Sequence, residues 1–209
     1  MPLLYVATKN AGKMRELREL FEGSSWELET YPGYADVAEG DASYAENAAL
    51  KARALRSQLA AAGITTAVLG DDSGIEALAL GGRPGVRSAR YGSDGATWAE
   101  RRALLRAELA ASGSTDRSAR FVCALHFISS DGNAVAVEGE VAGAIADRDR
   151  GTAGFSYDPT FWYPPAWKTF GELSEVEKNA VSHRARAVAA LLSATACSLP
   201  GERKSGGSP

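Results

Sequence analysis

Cysteine and histidine are scarce in this chain of 209 residues, with two of each. Cys123 and Cys197 stand far apart and fit no CxxC or metal-ligand spacing, which argues against a disulfide framework or a zinc cluster. Both thiols are expected to be reduced, and Cys123, inside an apolar strand-like run, reads as a small core residue. Long hydrophobic runs are missing too. The apolar start, residues 3–7, is too short for a signal peptide or a bilayer span and meets Lys9, Lys13 and Arg15 at once, so a cytoplasmic protein is expected. Nor is there an excess of positive charge, since 23 Lys and Arg against 26 Asp and Glu give a net charge of -3. Without a basic field to hold a phosphate backbone, no nucleic acid or membrane partner is expected.

What is present, 45% hydrophobic and 23% charged residues, is ordinary for a folded soluble domain. Residues 1–197 are expected to form one domain. Residues 198–209 hold no large apolar side chain after Leu199 and are expected to be a disordered tail.

Hydrophobic periodicity and punctuation predict the elements. A strand over 3–7 gives way to the polar loop Thr8-Lys9-Asn10-Ala11-Gly12-Lys13, and Met14, Leu17, Leu20 and Phe21 then recur at helical spacing. Residues 26–41 read as irregular. Ser43 and Glu46 predict a capping box and a helix to about Ala62, with Ala48, Ala52, Leu55 and Leu59 as its stripe. A second strand over 65–69 is predicted to end in a loop, Gly70-Asp71-Asp72-Ser73-Gly74, followed by a short helix over 75–80. Thr97 and Glu100 open a helix carrying Leu104, Leu105 and Leu109. Two strands, 121–128 and 134–146, form a hairpin through Asp131-Gly132, and Ser174 with Glu177 opens a last helix running to about Ala196. Alternating strands and helices followed by a hairpin predict an α/β fold with a mixed sheet.

Three segments carry chemistry. Gly12-Lys13 at a helix start mimics a phosphate-binding P-loop, but Ala7 stands where the first glycine belongs and Met14 replaces the magnesium-binding hydroxyl. A phosphate-facing loop of another kind remains, because Thr8, Asn10 and Lys13 offer donors at the C-terminal end of a strand; alternatively Lys13 begins a solvated helix face. Asp71 and Asp72 are neighbours, so they point to opposite sides and one faces the cleft. They read either as helix caps or as hard-oxygen ligands, in which case Glu39 or Asp41 supplies the second carboxylate of a Mg2+–polyphosphate site. Arg184 lies inside the last helix's apolar stripe of Val181, Val188, Leu191 and Leu192, where an unpaired charge is costly. It therefore meets either a protein carboxylate or a bound anion or carbonyl. Lys178 and His183 flank it, and the aromatics of 154–159 read as loop core or as a platform for a base.

In combination these segments resemble the inosine triphosphate pyrophosphatase family, the non-canonical purine NTP pyrophosphatases. The resemblance rests on six stretches in order: Thr8 to Lys13; Glu46-Asn47-Ala48 with Lys51-Ala52; Asp71-Asp72-Ser73-Gly74; Pro84-Gly85-Val86 with Ser88-Ala89-Arg90-Tyr91; 154–159; and Glu177-Lys178 with Ser182-His183-Arg184. It implies two lobes around a central cleft, a long mixed sheet flanked by helices, and a homodimer. It also implies Mg2+-dependent hydrolysis of ITP, dITP and XTP to the monophosphate and pyrophosphate. Carried over, Thr8, Lys9, Asn10, Ala11, Gly12 and Lys13 hold the triphosphate, Asp72 is general base and metal ligand, and Glu39 is the second metal carboxylate. Ser73 touches the substrate; Phe155, Ser156, Tyr157, Asp158, Lys178, His183 and Arg184 hold the nucleoside.

Two departures stand out. Ala38-Glu39-Gly40-Asp41 replaces the family's paired glutamates and Thr-Gly, which leaves Asp41 as an alternative to Glu39, and Ser156 stands where the family usually has glycine. A pyrophosphatase for pyrimidine or modified nucleotides is the competing enzyme reading. A binding protein without turnover is the other, and the retention of Lys13 and Asp72 argues against it.

Overall fold

A computed structural model describes residues 1–196. The tail expected over 198–209, and Cys197, lie outside the described residues. Strand β1 (Leu3–Ala7) leads into helix α1 (Ala11–Leu20), whose cap is Asn10. β2 (Glu27–Glu29) falls in the stretch expected to be irregular, where three residues are too few to show a two-residue period. Helix α2 (Tyr44–Ala61) starts at Ser43, whose side chain accepts from the Glu46 N–H; only this half of the expected capping box forms. Helix α3 (Trp98–Ala111) has the complete box between Thr97 and Glu100. Strands β4 (Ser118–Ile128) and β5 (Ala134–Ile145) form the expected hairpin, with Gly132 at φ 99° in its turn. Short strands β6 (Phe161–Tyr163) and β7 (Lys168–Thr169) complete the sheet.

Two expectations are overturned. β3 (Ala67–Ala77) does not end before Gly70; it runs straight through Gly70-Asp71-Asp72-Ser73-Gly74 and the first part of the expected helix, of which only a turn at Leu78–Leu80 remains. Gly, Asp and Ser disfavour strands, but a continuous antiparallel ladder to β4, from Val68–Ile128 to Ala77–Ala119, outweighs that preference. The last helix is two: α4 (Glu175–Asn179) and α5 (His183–Ala196). Ser182 makes the break, its hydroxyl accepting from the Ala185 N–H as a cap of α5.

The sheet order is β2-β1-β3-β4-β5-β6-β7, parallel among β2, β1 and β3 and antiparallel from β3 onward, so the expected mixed α/β fold is present. The strands β3, β4 and β5, of 11, 11 and 12 residues, are long enough to carry two cores. One gathers Leu4, Leu17, Leu69, Leu125 and Val188 beneath α1 and α5. The other gathers Ile75, Leu105, Leu109, Phe121 and Phe161 beneath α3. Leu69 and Ile75 lie on the same face of β3, as its two-residue period requires, and Asp71 and Ser73 stand between them on that face. The gap between the cores is thus polar by construction. α5 closes over it because β5 offers Gly139 there: a Cβ at that position would stand 2.3 Å from the Ala187 nitrogen and the His183 carbonyl oxygen.

Candidate active site

The two aspartates of β3 share a strand and little else. Asp71 is wholly buried, receives the Arg184 Nε–H at 3.0 Å, and pairs with the Lys13 ammonium. Burial would raise its carboxyl, but the charges of Arg184 and Lys13 outweigh it and hold Asp71 well below the usual carboxylate range. Asp72 faces α2, accepting from Lys51 Nζ at 2.8 Å and Asn47 Nδ2 at 3.2 Å. Here burial prevails over the pull of Lys13 and Lys51, and the carboxyl is raised. Neither aspartate caps a helix, one of the two readings of the sequence, and neither sits in the expected loop, since both lie within β3.

Asp71 belongs to a buried chain of alternating charges. Lys13 pairs with Asp71, Asp71 with Arg184, Arg184 with Glu16, Glu16 with Lys178, and Lys178 with Asp158 at 2.6 Å. Three cations and three anions alternate, so no charge is left uncompensated. Removing one member of such a set typically costs ~3–5 kcal/mol, because its partner stays buried without a counterion. The chain joins two ends of a cavity of about 490 Å³.

At one end is the turn from β1 into α1. The Thr8 hydroxyl accepts from the Asn10 N–H and the Asn10 side chain from the Lys13 N–H, which fixes the turn and aims Lys13 inward. Lys9 is exposed and only loosely paired with Asp36 at 3.7 Å. At the other end, Asp158 accepts from the Phe155 N–H at 2.7 Å, and the Tyr157 hydroxyl donates to the Ser88 carbonyl at 3.0 Å. Lys178 Nζ stands 5.0 Å from the centre of the Phe155 ring. His183 stacks on Phe121 at 4.6 Å, and its Nδ1 has no hydrogen-bond partner among the described residues. Burial first, then Arg184 and Lys178, push His183 well below the ordinary 6.5, so the ring is neutral at physiological pH.

Of the expected site residues, Thr8, Lys9, Asn10, Lys13, Glu39, Asp72, Ser73, Phe155, Ser156, Tyr157, Asp158, Lys178, His183 and Arg184 all line this one cavity. Ala11 and Gly12 do not. Gly12 lies under the Phe155 ring, where a Cβ would meet a ring carbon at 2.8 Å, so it seats the aromatic loop against α1. Arg184 resolves its two sequence readings toward the protein: Nε, Nη1 and Nη2 go to Asp71, Glu16 and Ser73 Oγ. It still borders the cavity, and each terminal nitrogen keeps a second N–H beyond these bonds.

Glu39 and Asp72 converge on the Lys51 ammonium, so two carboxylates lie within reach of one centre. Asp41 is turned outward onto Arg87 and does not border the cavity. No group of three or more potential metal-ligating His, Cys, Asp or Glu residues occurs among the described residues. Two hard-oxygen carboxylates beside a cationic turn nevertheless fit Mg2+, which takes one or two carboxylates and completes its shell with other oxygens and water.

Sequence reading gave no role to Lys51, Glu16 or Trp98. Lys51 lies three residues after Ala48 and four before Leu55, inside the α2 stripe, the same signal that singled out Arg184. Glu16 sits beside Leu17 and three residues after Lys13, at the edge of the α1 stripe. Trp98 follows a helix cap, and nothing local tells whether such an aromatic faces a cavity.

The chain is a hydrolase of acid anhydrides on a mixed-sheet α/β frame, by its likeness to pyrophosphatases over more than 90% of its length. The model of the Ham1 family matches residues 4–194, and the chain belongs to that family. It is 47% identical over 195 residues to a dITP/XTP pyrophosphatase of Gloeobacter violaceus, covering 92% of this chain and 94% of the relative. A dITP/XTP pyrophosphatase of Geobacillus kaustophilus is 43% identical, with coverages of 91% and 93%. Among solved structures, a HAM1 protein from Coxiella burnetii superimposes with a TM-score of 0.84 at 34% identity, covering 94% of this chain and 99% of that one.

Proposed function

We propose that this chain hydrolyses ITP, dITP and XTP to the monophosphate and pyrophosphate, clearing non-canonical purines from the nucleotide pool. The supporting observation is one cavity that holds a cationic turn, a pair of carboxylates and an aromatic end rich in donors. Lys13 and the positive dipole end of α1 bind the triphosphate, adding positive charge where negative charge accumulates. Asp72, raised by burial, takes a proton from the water that attacks the α-phosphorus, and pyrophosphate leaves. Lys51 and Asn47 fix the orientation of its carboxylate. Glu39 and Asp72 would hold Mg2+, which, when bound, neutralises and orients phosphate oxygens.

The base lies against Phe155, with the remaining N–H groups of Arg184 toward the 6-position. Hypoxanthine and xanthine present a carbonyl acceptor there and adenine an amino donor, a mismatch of ~1–3 kcal/mol or more in a closed pocket. A homodimer in the cytoplasm, implied by the family resemblance, completes the reading; light scattering tests the dimer. No helix among the described residues is long and apolar enough to cross a membrane. The activity is tested by pyrophosphate release with Mg2+ from ITP, XTP, GTP, ATP and dTTP. ITP and XTP should exceed ATP in kcat/KM by at least about tenfold. Equal rates on all five, or a preference for dTTP, would overturn the assignment.

A further inference from the structure

The aromatic end of the cavity rests on a segment whose backbone is strained. Ser156 has φ 58°, in the left-handed region that glycine adopts freely and other residues reach only at a cost. Its neighbours are held from both their ends, Phe155 by the carboxylate and the N–H of Asp158, and Tyr157 by the Ser88 carbonyl and the N–H groups of Thr160 and Phe161. Ser156 is held from outside. Arg102, on α3, donates from Nη1 to the Ser156 carbonyl at 2.6 Å and from Nε to Asp149 at 2.8 Å. The guanidinium thus bridges two fixed points with one planar group. Asp149 is itself held by Arg106, one turn further along α3, which also donates to Thr160 Oγ1 at 3.0 Å. One turn before Arg102, Trp98 sets its ring edge-on to Tyr157 with centroids 5.7 Å apart and borders the cavity. Trp98, Arg102 and Arg106 are four residues apart and share one face of α3.

We infer that Arg102 is a positioning residue for the base-binding loop: it clamps Ser156 in its left-handed conformation and so sets the Phe155 platform and the cavity wall. The clamp answers a local demand, since glycine at position 156 would adopt this backbone without the cost that serine meets. The inference rests on the proposed function for its kinetic consequence and on geometry alone for its structural one. Arg102 touches the loop and does not border the cavity, so it affects how well the nucleoside is seated.

A double-mutant cycle on the full chain tests it. Wild type, Arg102→Ala, Ser156→Gly and the double variant are compared for kcat and KM with ITP, and for hydrogen exchange of the 154–158 amides. Arg102→Ala should raise KM about tenfold, the order of holding one non-glycine residue left-handed, with kcat within about twofold. Exchange of these amides should accelerate. In the Ser156→Gly background the same change should raise KM less than about threefold and leave exchange nearly unaltered. If Arg102→Ala does not fold, Arg102→Lys carries the test, because it keeps a charge beside Asp149 but loses the fork that reaches Ser156 as well. An equal KM rise and equal exchange in both backgrounds, or a fall in kcat at constant KM, would overturn the clamp. A wild type that releases no pyrophosphate from ITP would overturn the proposed activity alone; the exchange cycle would still decide the clamp.

Discussion

Asp71 and Asp72 are adjacent in one strand, identical in chemistry and nearly equally buried, yet their carboxyls shift in opposite directions. The face of β3 decides which. Asp71 points between the two hydrophobic cores, where Arg184 and Lys13 neutralise it and lock it into the charge chain. Asp72 points toward α2 and the cavity, beside a lysine it shares with Glu39. One aspartate is thereby a structural anion and the other a group able to take a proton, a division that comes from environment and not from residue type.

Exchanging each aspartate separately sharpens the contrast. The largest effect belongs to Asp71→Asn, which leaves Arg184 buried with one anion fewer; a stability loss of ~3–5 kcal/mol and a melting point lower by roughly ten degrees are expected. Asp72→Asn should leave melting within a few degrees of wild type and lower kcat at least about a hundredfold. Equal stability losses in the two variants would erase the distinction.

The pH profile is a finer probe. In the proposed reaction Asp72 works deprotonated; in the metal-free protein its carboxyl, followed by carbon-13 NMR, should titrate above the ordinary 3.8 because burial raises it. Glu39→Gln removes a neighbouring negative charge and should move this titration down, whereas Lys51→Met removes a positive one and should move it up. Shifts in the same direction would break the assignment. The smallest effect concerns His183, neutral in the folded chain while an unfolded one takes up a proton near 6.5. Stability is therefore full above that value and declines as pH drops below it. Melting at about pH 7.5 and 5.5 should show a smaller loss for His183→Gln than for wild type.

Much of the fold was legible in local pattern. The caps at Ser43, Thr97 and Ser174 and the hairpin at Asp131-Gly132 depend on neighbours within a few residues, and each lies where periodicity predicts. β3 was not legible beyond Leu69, because its Gly-Asp-Asp-Ser-Gly stretch is held by pairing with β4, about fifty residues away in sequence. The site followed the same division. Arg184 betrayed itself as a charge in an apolar stripe, and Lys51 carries the same mark in α2. What Arg184 meets was not legible: Glu16 and Asp71 come from α1 and β3, and only the close approach of α5 to Gly139 brings them together. Ser156 differs from the family's usual glycine in a visible way, but the arginine that accommodates it lies on another helix.

The most direct test of the chemistry is where water's oxygen goes. Wild-type protein turning over ITP in oxygen-18 water, with Mg2+ present, should place the label in the monophosphate and none in pyrophosphate, because in the proposed reaction water attacks the α-phosphorus. Label in pyrophosphate, or release of the diphosphate with labelled inorganic phosphate, would contradict it.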